Sequence, residues 1–214
     1  MKFKIARDYY EKDKKIYDRA NIEIQPGVTV LIGCKGSGKT TLLKQIKNTC
    51  KSKDIPVISF DNLKQGGSNA LSYAGIMGDF GFVTESICSS EGENINMNIA
   101  RFATKIGRFI RNNLTAKEVV ILLDAIDSGL SIDYLIEVKE LLFKTILQDC
   151  KSKGIEVYII VSANEYEMAR GESCFNVSTC KYENILTYES YRKLIIKTRQ
   201  KKNKRYGFEE YEFE

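Results

Sequence analysis

The stretch GCKGSGKT at residues 33–40 has the residue types and spacing of a loop that binds phosphate groups. It fits the pattern G-x-x-x-x-G-K-[ST], in which glycines let backbone N–H groups curl around phosphate oxygens. We expect Lys39 to reach the β and γ phosphates of a nucleotide and the Thr40 hydroxyl to ligate Mg²⁺. The sequence therefore predicts a nucleotide site whose phosphate-binding residues are Gly33, Lys35, Gly36, Ser37, Gly38, Lys39, Thr40 and Thr41.

The stretch VVILLDAIDSG begins at Val119 as an apolar run and reaches its first acid at Asp124. A carboxylate at the carboxyl end of a buried strand can hold Mg²⁺ beside the phosphate loop. The next residue is Ala125, at a position where many nucleotide-hydrolysing sites carry a glutamate that positions the attacking water. Alanine cannot polarise water, and a general base typically contributes about 10²–10⁴-fold to a rate. We therefore expect hydrolysis that is slow but not absent.

Another acid near Ala125 is a candidate for the missing group. If the chain stays extended, Asp127 lies on the same side as Ala125 and roughly 6–7 Å further along. A curl at Ile126 would bring it back towards the phosphates. Glu91 or Glu93 of a partner subunit is the second possibility.

The elements that must position these residues alternate between apolar runs and amphipathic stretches. Apolar runs predict strands at residues 2–7, 16–24, 28–33, 55–60, 119–123 and 155–163, and short strands around 174–187. Apolar residues three and four apart predict helices at residues 40–52, 95–112 and 132–151, with a last helix from Tyr188. This alternation predicts an α/β fold with a mostly parallel sheet flanked by helices. The more polar N-terminal strands predict an antiparallel β flank.

The 214 residues are enough for one domain with a full core, which we place at residues 1–190 with a small helical insert at about 61–113. Residues 191–214 form a basic helix and an acidic tail. Eight basic residues and no acid lie between Arg192 and Arg205. This run is either a solvated helix face or a surface that binds the phosphate backbone of DNA or RNA.

Composition excludes several classes of protein. With 43% hydrophobic and 29% charged residues, the chain is neither disordered nor a membrane protein. The start MKFKIARDYY has no apolar core of a signal peptide, so we expect a cytoplasmic protein. The sequence contains no histidine and its six cysteines are dispersed, which argues against histidine catalysis and against a zinc cluster.

Four segments in order resemble the ABC-type ATPase superfamily, particularly its soluble RecF-like and chromosome-maintenance-like members. They are ANIEIQPGVTVLIGCKGSGKTTLLKQI, SSEGE at residues 89–93, LLDAIDSGLSID and IIVSANEYEMA. The resemblance implies ATP and Mg²⁺ as cofactors and a homodimer that closes around ATP, with Ser90 and Gly92 of the partner completing each site. A plainer interpretation of SSEGE is a helix capping box formed by Ser90 and Glu93.

The same resemblance implies roles for residues outside the phosphate loop. Asn164 stands at the position of the family's switch histidine, where it can donate a hydrogen bond to the γ-phosphate. Tyr10 would stack on adenine, with Tyr9 and Tyr17 as alternatives, although ordinary strand packing also explains these tyrosines. Gln65 would be the glutamine that senses Mg²⁺ and water.

Three classes of function fit these observations. The first is an ATPase that dimerises around ATP and acts on or near nucleic acid. The second is a nucleotide-gated module that binds an unidentified protein partner with little turnover, which Ala125 favours. The third is a small-molecule kinase, but no arginine-rich lid precedes residue 192.

Overall fold

The computed structural model describes residues 1–6, 19–62 and 91–206. Some predicted site residues lie outside these ranges: Tyr9, Tyr10, Tyr17, Gln65 and Ser90. None of the helices in these ranges is long and apolar enough to cross a membrane.

A six-stranded sheet forms the centre of the fold. Its strands follow the order β4-β5-β6-β3-β7-β8, and all neighbours are parallel except β7 and β8. In chain order the strands are β3 Gly27–Ile32, β4 Val57–Asp61, β5 Glu118–Asp124, β6 Glu156–Ser162, β7 Ser173–Asn176 and β8 Lys181–Glu183.

Two further strands, β1 Lys2–Ala6 and β2 Arg19–Glu23, pair antiparallel in a separate small sheet. This pair confirms the predicted antiparallel flank, and the six-stranded sheet confirms the α/β fold. Within the described residues, several observed strands begin or end a residue or two from the predicted bounds, as is usual for the boundaries of elements.

Helices cover both faces of the large sheet. They are α1 Lys39–Ser52, α2 Glu91–Asn112, α3 Ile132–Glu137, α4 Lys144–Ser152, α5 Tyr166–Ala169 and α6 Tyr188–Tyr206. The sequence predicted one helix over residues 132–151, and this was wrong in one respect. A π-helical segment, Val138–Phe143, joins α3 to α4 and turns the helix face. Within that segment Lys139 donates from its ammonium to the carbonyls of Glu167 and Arg170, which ties the segment to α5.

The core consists of two layers because a parallel sheet covered on both faces buries every residue of its central strands. In β3, Val30 and Ile32 pack with α2, α3 and α4, whereas Leu31 packs on the opposite face. That second layer is closed by α1, through Leu42 and Ile46, and by the small sheet of β1 and β2. The alternation fixes the register of the strands, since a slip of one residue would exchange the two layers.

The order of the strands decides where the functional residues meet. Because β6 lies between β3 and β5, Ser162 at its end is paired with Leu31 on one side and with Asp124 on the other. The carboxyl ends of β3, β5 and β6 therefore share one edge of the sheet, where ligands of α/β folds usually bind.

Candidate functional site

The loop between β3 and α1 has the backbone of an anion-binding cradle. Gly36 and Gly38 have φ angles of +75° and +96°, which side chains with a Cβ rarely adopt. A Cβ at Gly33 would lie 2.7 Å from the Ser37 hydroxyl, so this glycine is required by close contact as well. The loop leads into the first turn of α1, whose N–H groups are free of helical partners. This backbone fits a nucleotide phosphate.

Lys39 lies at the floor of the cradle and is only 8% exposed. Its ammonium donates to the carbonyl oxygen of Gly33 at 2.7 Å and to that of Cys34 at 3.4 Å. Burial lowers the pKa of the Lys39 ammonium, and electrostatic interactions with Cys34, Asp127 and Asp124 oppose that shift. Phosphate oxygens in the cradle would add a further opposing charge and hold the ammonium protonated.

Thr40 and Asp124 face each other across the cradle's edge. The Thr40 hydroxyl donates to Asp124 Oδ1 at 3.2 Å, and the Ser162 hydroxyl donates to the same oxygen. A hydroxyl and a carboxylate are the hard oxygen ligands that Mg²⁺ prefers. The pair therefore fits Mg²⁺, as the sequence predicted. Sequence reasoning missed Ser162, which also accepts the N–H of Ala125 at 3.1 Å.

The chain turns sharply straight after Asp124. Ala125 has a φ angle of +52°, and the N–H of Ser128 donates to its carbonyl at 3.0 Å. The Asn62 side-chain amide also donates to that carbonyl, at 3.2 Å, and to the carbonyl of Ser128. Of the two alternatives, an extended chain or a curl at Ile126, the structure shows a curl, and it begins one residue earlier, at Ala125.

This curl directs Asp127 towards the loop that follows β6. The carboxylate is 3% exposed, and its Oδ2 accepts the N–H groups of Asn164 and Glu165, the latter at 2.7 Å. Burial raises the pKa of Asp127, while these two hydrogen bonds and the charge of Lys39 lower it in smaller measure. Asp127 therefore holds the Asn164 loop in place. Its other oxygen, Oδ1, is buried without a hydrogen-bond partner in the described ranges.

A pocket of about 980 Å³ opens between these groups, at the upper end of the usual size for ligand sites. Among its walls are Thr40, Asp124, Ala125 and Asn164, together with the phosphate loop. Asp127 is not among the described residues that line it. Its role as the acid that activates water remains a prediction.

Helix α6 supplies a wall of the pocket that the sequence did not predict. The lining residues from this helix are Ile195, Thr198, Arg199, Lys201 and Lys202. The Lys202 ammonium donates to the carbonyl of Lys35 at 3.2 Å and lies 2.5 Å from where a Cβ of Gly36 would be. Part of the basic run that we read as a solvated or nucleic-acid-binding face thus adjoins the phosphate cradle.

Of the remaining predicted site residues that the structure describes, Lys35 and Thr41 lie in the pocket, whereas Gly92 lies in α2. Lys35 and Thr41 line the pocket, as expected for members of the phosphate loop. Gly92 lies in the first turn of α2, which begins at Glu91 as both the signature and the capping-box interpretations require. Because Ser90 lies outside the described residues, the choice between those interpretations stays open.

An AAA domain family matches residues 22–168, more than half of the chain. The chain belongs to this family. The match extends from β2 to α5 and includes the phosphate loop, Asp124 and Asn164. It confirms a P-loop ATPase domain that binds ATP, while the ABC-type subclass stays a prediction.

Two solved structures are similar to the chain over 88% of its length. One is AMPPCP-bound DnaA from Aquifex aeolicus, at 17% identity and a TM-score of 0.36. The other is a DNA replication initiation factor, at 15% identity and a TM-score of 0.34. The chain spans about half the length of each, 48% in both cases. No curated protein matches the chain. Both structural similarities are weak, so the assignment of the chain to the AAA family rests on the family match alone.

Proposed function

We propose that this AAA domain binds ATP with Mg²⁺ and hydrolyses it slowly. The observation that carries the proposal is the contrast within one pocket, which has every group needed to hold a triphosphate but an alanine where the water-positioning acid is expected. Lys39 supplies the buried cation, and Thr40 and Asp124 supply oxygen ligands for the metal. Ala125 lines the wall opposite the loop without any group that accepts a proton.

Asn164 is the second residue that faces the γ-phosphate in this proposal. Its side chain is exposed to the pocket, and its backbone is fixed by Asp127 from one side and by Tyr191 from the other. The Asn164 amide donates to a phosphate oxygen or to an attacking water. Bound Mg²⁺ would neutralise developing charge on the phosphates.

We further propose that ATP holds two copies of the chain together, as in the ABC-type dimers that the sequence resembles. Support comes from apolar side chains on the outer face just beyond the turn at Ala125. Ile132 and Leu141 are 64% and 65% exposed, and Ile136 lies between them with 45% exposed. Apolar residues clustered on a surface are typical of interfaces. Light scattering of the purified chain with and without ATP tests this, and an unchanged monomer mass would contradict it.

The exposed face of α6 supports a second proposal, that the domain binds DNA or RNA. Lys193, Lys197, Lys201 and Lys204 are exposed on this helix. Neutralising Lys193, Lys197 and Lys201 together should weaken DNA binding and flatten its dependence on salt. If DNA binding is unaffected, the run is a solvated surface, and a protein partner gated by nucleotide becomes the better proposal.

The decisive experiment for the first proposal compares ATP turnover of the natural chain, Ala125→Glu and Ala125→Gln. We expect very slow turnover in the natural chain and a rise of roughly 10²–10⁴-fold in Ala125→Glu, because the glutamate supplies the general base. Ala125→Gln is matched in size but cannot accept the proton, and it should stay slow. Fast turnover in the natural chain, or equal rates in the two variants, would contradict the proposal.

A further inference from the structure

One face of α6 is bonded to both loops that border the nucleotide pocket. Tyr191 donates from its hydroxyl to the carbonyl of Asn164 at 2.7 Å. Thr198 accepts the N–H of Cys34 at 3.1 Å, and Lys202 donates to the carbonyl of Lys35. Positions seven and four residues apart lie on the same side of a helix. The helix thus spans from the Asn164 loop to the phosphate loop.

Thr198 lies between Tyr191 and Lys202 on this face of α6, and its hydroxyl makes two hydrogen bonds. It donates to the carbonyl of Ile195 at 2.8 Å while it accepts from Cys34, and Thr198 and Cys34 are only 3% and 2% exposed. A buried backbone N–H without a partner is costly, so the second residue of the phosphate loop depends on this hydroxyl. No residue near Cys34 in the sequence supplies the bond, since the two residues are 164 positions apart.

We propose that Thr198 and Tyr191 are positioning residues for nucleotide binding, acting through the backbone of Cys34 and of Asn164. The inference rests on the proposed binding of ATP in this pocket. Helix α6 then holds the two loops at the separation that a triphosphate needs. By linkage, bound ATP must stabilise the docking of α6 as much as docked α6 favours ATP.

The test measures ATP affinity and the free energy of unfolding for Thr198→Val, Thr198→Ser and the control Thr29→Val. Thr29 is also a buried threonine, 1% exposed, whose hydroxyl contacts that of Tyr182 rather than either loop. Valine matches threonine in shape, so both valine variants remove one buried hydroxyl. We expect Thr198→Val to weaken ATP binding by about threefold to tenfold, the factor of one hydrogen bond, and Thr198→Ser to restore it. Thr29→Val should lower stability without changing ATP affinity.

Tyr191→Phe keeps the ring packed against Tyr166 and removes only the hydroxyl. It should weaken ATP more than ADP, since Asn164 faces the γ-phosphate side, and it keeps the proposal testable if Thr198→Val does not fold. The inference is overturned if the natural chain binds ATP and both Tyr191→Phe and Thr198→Val bind it equally well. If Thr198→Val does not fold, equal binding by Tyr191→Phe is enough to overturn it. If the natural chain does not bind ATP, the proposed function itself fails, which the unmodified protein shows before any variant is made.

Hydrogen exchange gives an independent readout of the linkage. Saturating ATP should slow exchange of the backbone amides of α6 in the natural chain, and by less in Thr198→Val. An α6 whose exchange does not respond to ATP would contradict the coupling, whatever the affinities are.

Discussion

The phosphate loop and the turn after β5 face the same pocket, and they are equipped very differently. The loop carries a buried ammonium, glycines with the required positive φ angles and a hydroxyl for the metal. The turn carries Ala125, and the acid that follows it, Asp127, is engaged by the loop that follows β6. Groups that hold bound substrate are distinct from groups that act only in the transition state. In this domain the groups expected to hold the nucleotide are present, and the glutamate that usually positions the attacking water is replaced by Ala125.

The largest effect on ATP affinity should come from removing the ammonium of Lys39, the buried cation of the phosphate loop. Lys39→Ala deletes a charge-assisted interaction with the phosphates, worth about 1.5–3 kcal/mol for one hydrogen bond, so we expect ATP affinity to fall at least roughly 10- to 150-fold. Titration calorimetry measures this. Lys44→Ala is the control, because Lys44 is exposed on the same helix. Equal losses in the two variants would show that net charge, rather than the cradle, governs binding.

Asp124 belongs to the turn side, and in the proposed function it serves binding as a ligand of the metal. Asp124→Asn keeps the size of the side chain and removes its charge, and the loss of even an outer-shell partner typically costs about 10–100-fold in metal affinity. We expect a loss of that order in the affinity for Mg²⁺ with ATP bound, and little change in ATP binding without metal. Asp61→Asn, at the paired position of β4, is the matched control. An Mg²⁺ dependence that survives in Asp124→Asn would remove this residue from the metal site.

Lys202 of α6 lies beside the phosphate loop, where it donates to the carbonyl of Lys35. Removing it should lower ATP affinity less than removing Lys39. Because its ammonium adjoins Gly36 but is more exposed than that of Lys39, Lys202→Ala should lower ATP affinity by about threefold, as one partly screened charge would. Lys204→Ala, two residues further on and exposed, should change it little. The same loss in both variants would indicate a general field from the helix instead of a local contact.

The smallest expected effect is that of Asp127 on the pH dependence of the free energy of unfolding. Burial raises the pKa of Asp127 above its ordinary value of 3.8, so the folded protein holds this proton more tightly than the unfolded chain. Its contribution to stability is therefore fully present below about pH 3.8 and is lost as pH rises through the raised pKa. Asp127→Asn keeps an oxygen for the two N–H groups and should abolish this loss, which urea unfolding across the acid range measures.

The same variant also tests the comparison between the two sides. If Asp127 only holds the Asn164 loop, Asp127→Asn keeps the slow turnover of the natural chain. If turnover stops while nucleotide binding and stability are kept, the acid has moved along the turn and Asp127 activates the water.

Local features of the site could be predicted because their partners are close in the chain. The strand, the phosphate loop and α1 follow one another without interruption, so the glycine pattern predicted a loop between strand and helix that could bind phosphate. The position of Asp127 could not be predicted in this way. It depends on a positive φ angle at Ala125, an alanine that carries no turn signal, and on N–H groups of the loop that follows β6.

The sequence by itself determined the α/β class, the phosphate loop, the acid at the end of the buried strand, Asp124, and the absence of an acid at residue 125. Each of these depends on residue type and on spacing within one segment. Only the tertiary structure decided that β6 lies between β3 and β5, that Ser162 hydrogen-bonds to both Asp124 and Ala125, and that α6 docks on the phosphate loop. These contacts join residues 37 to 164 positions apart, and packing of the two core layers, which no local pattern records, brings them together.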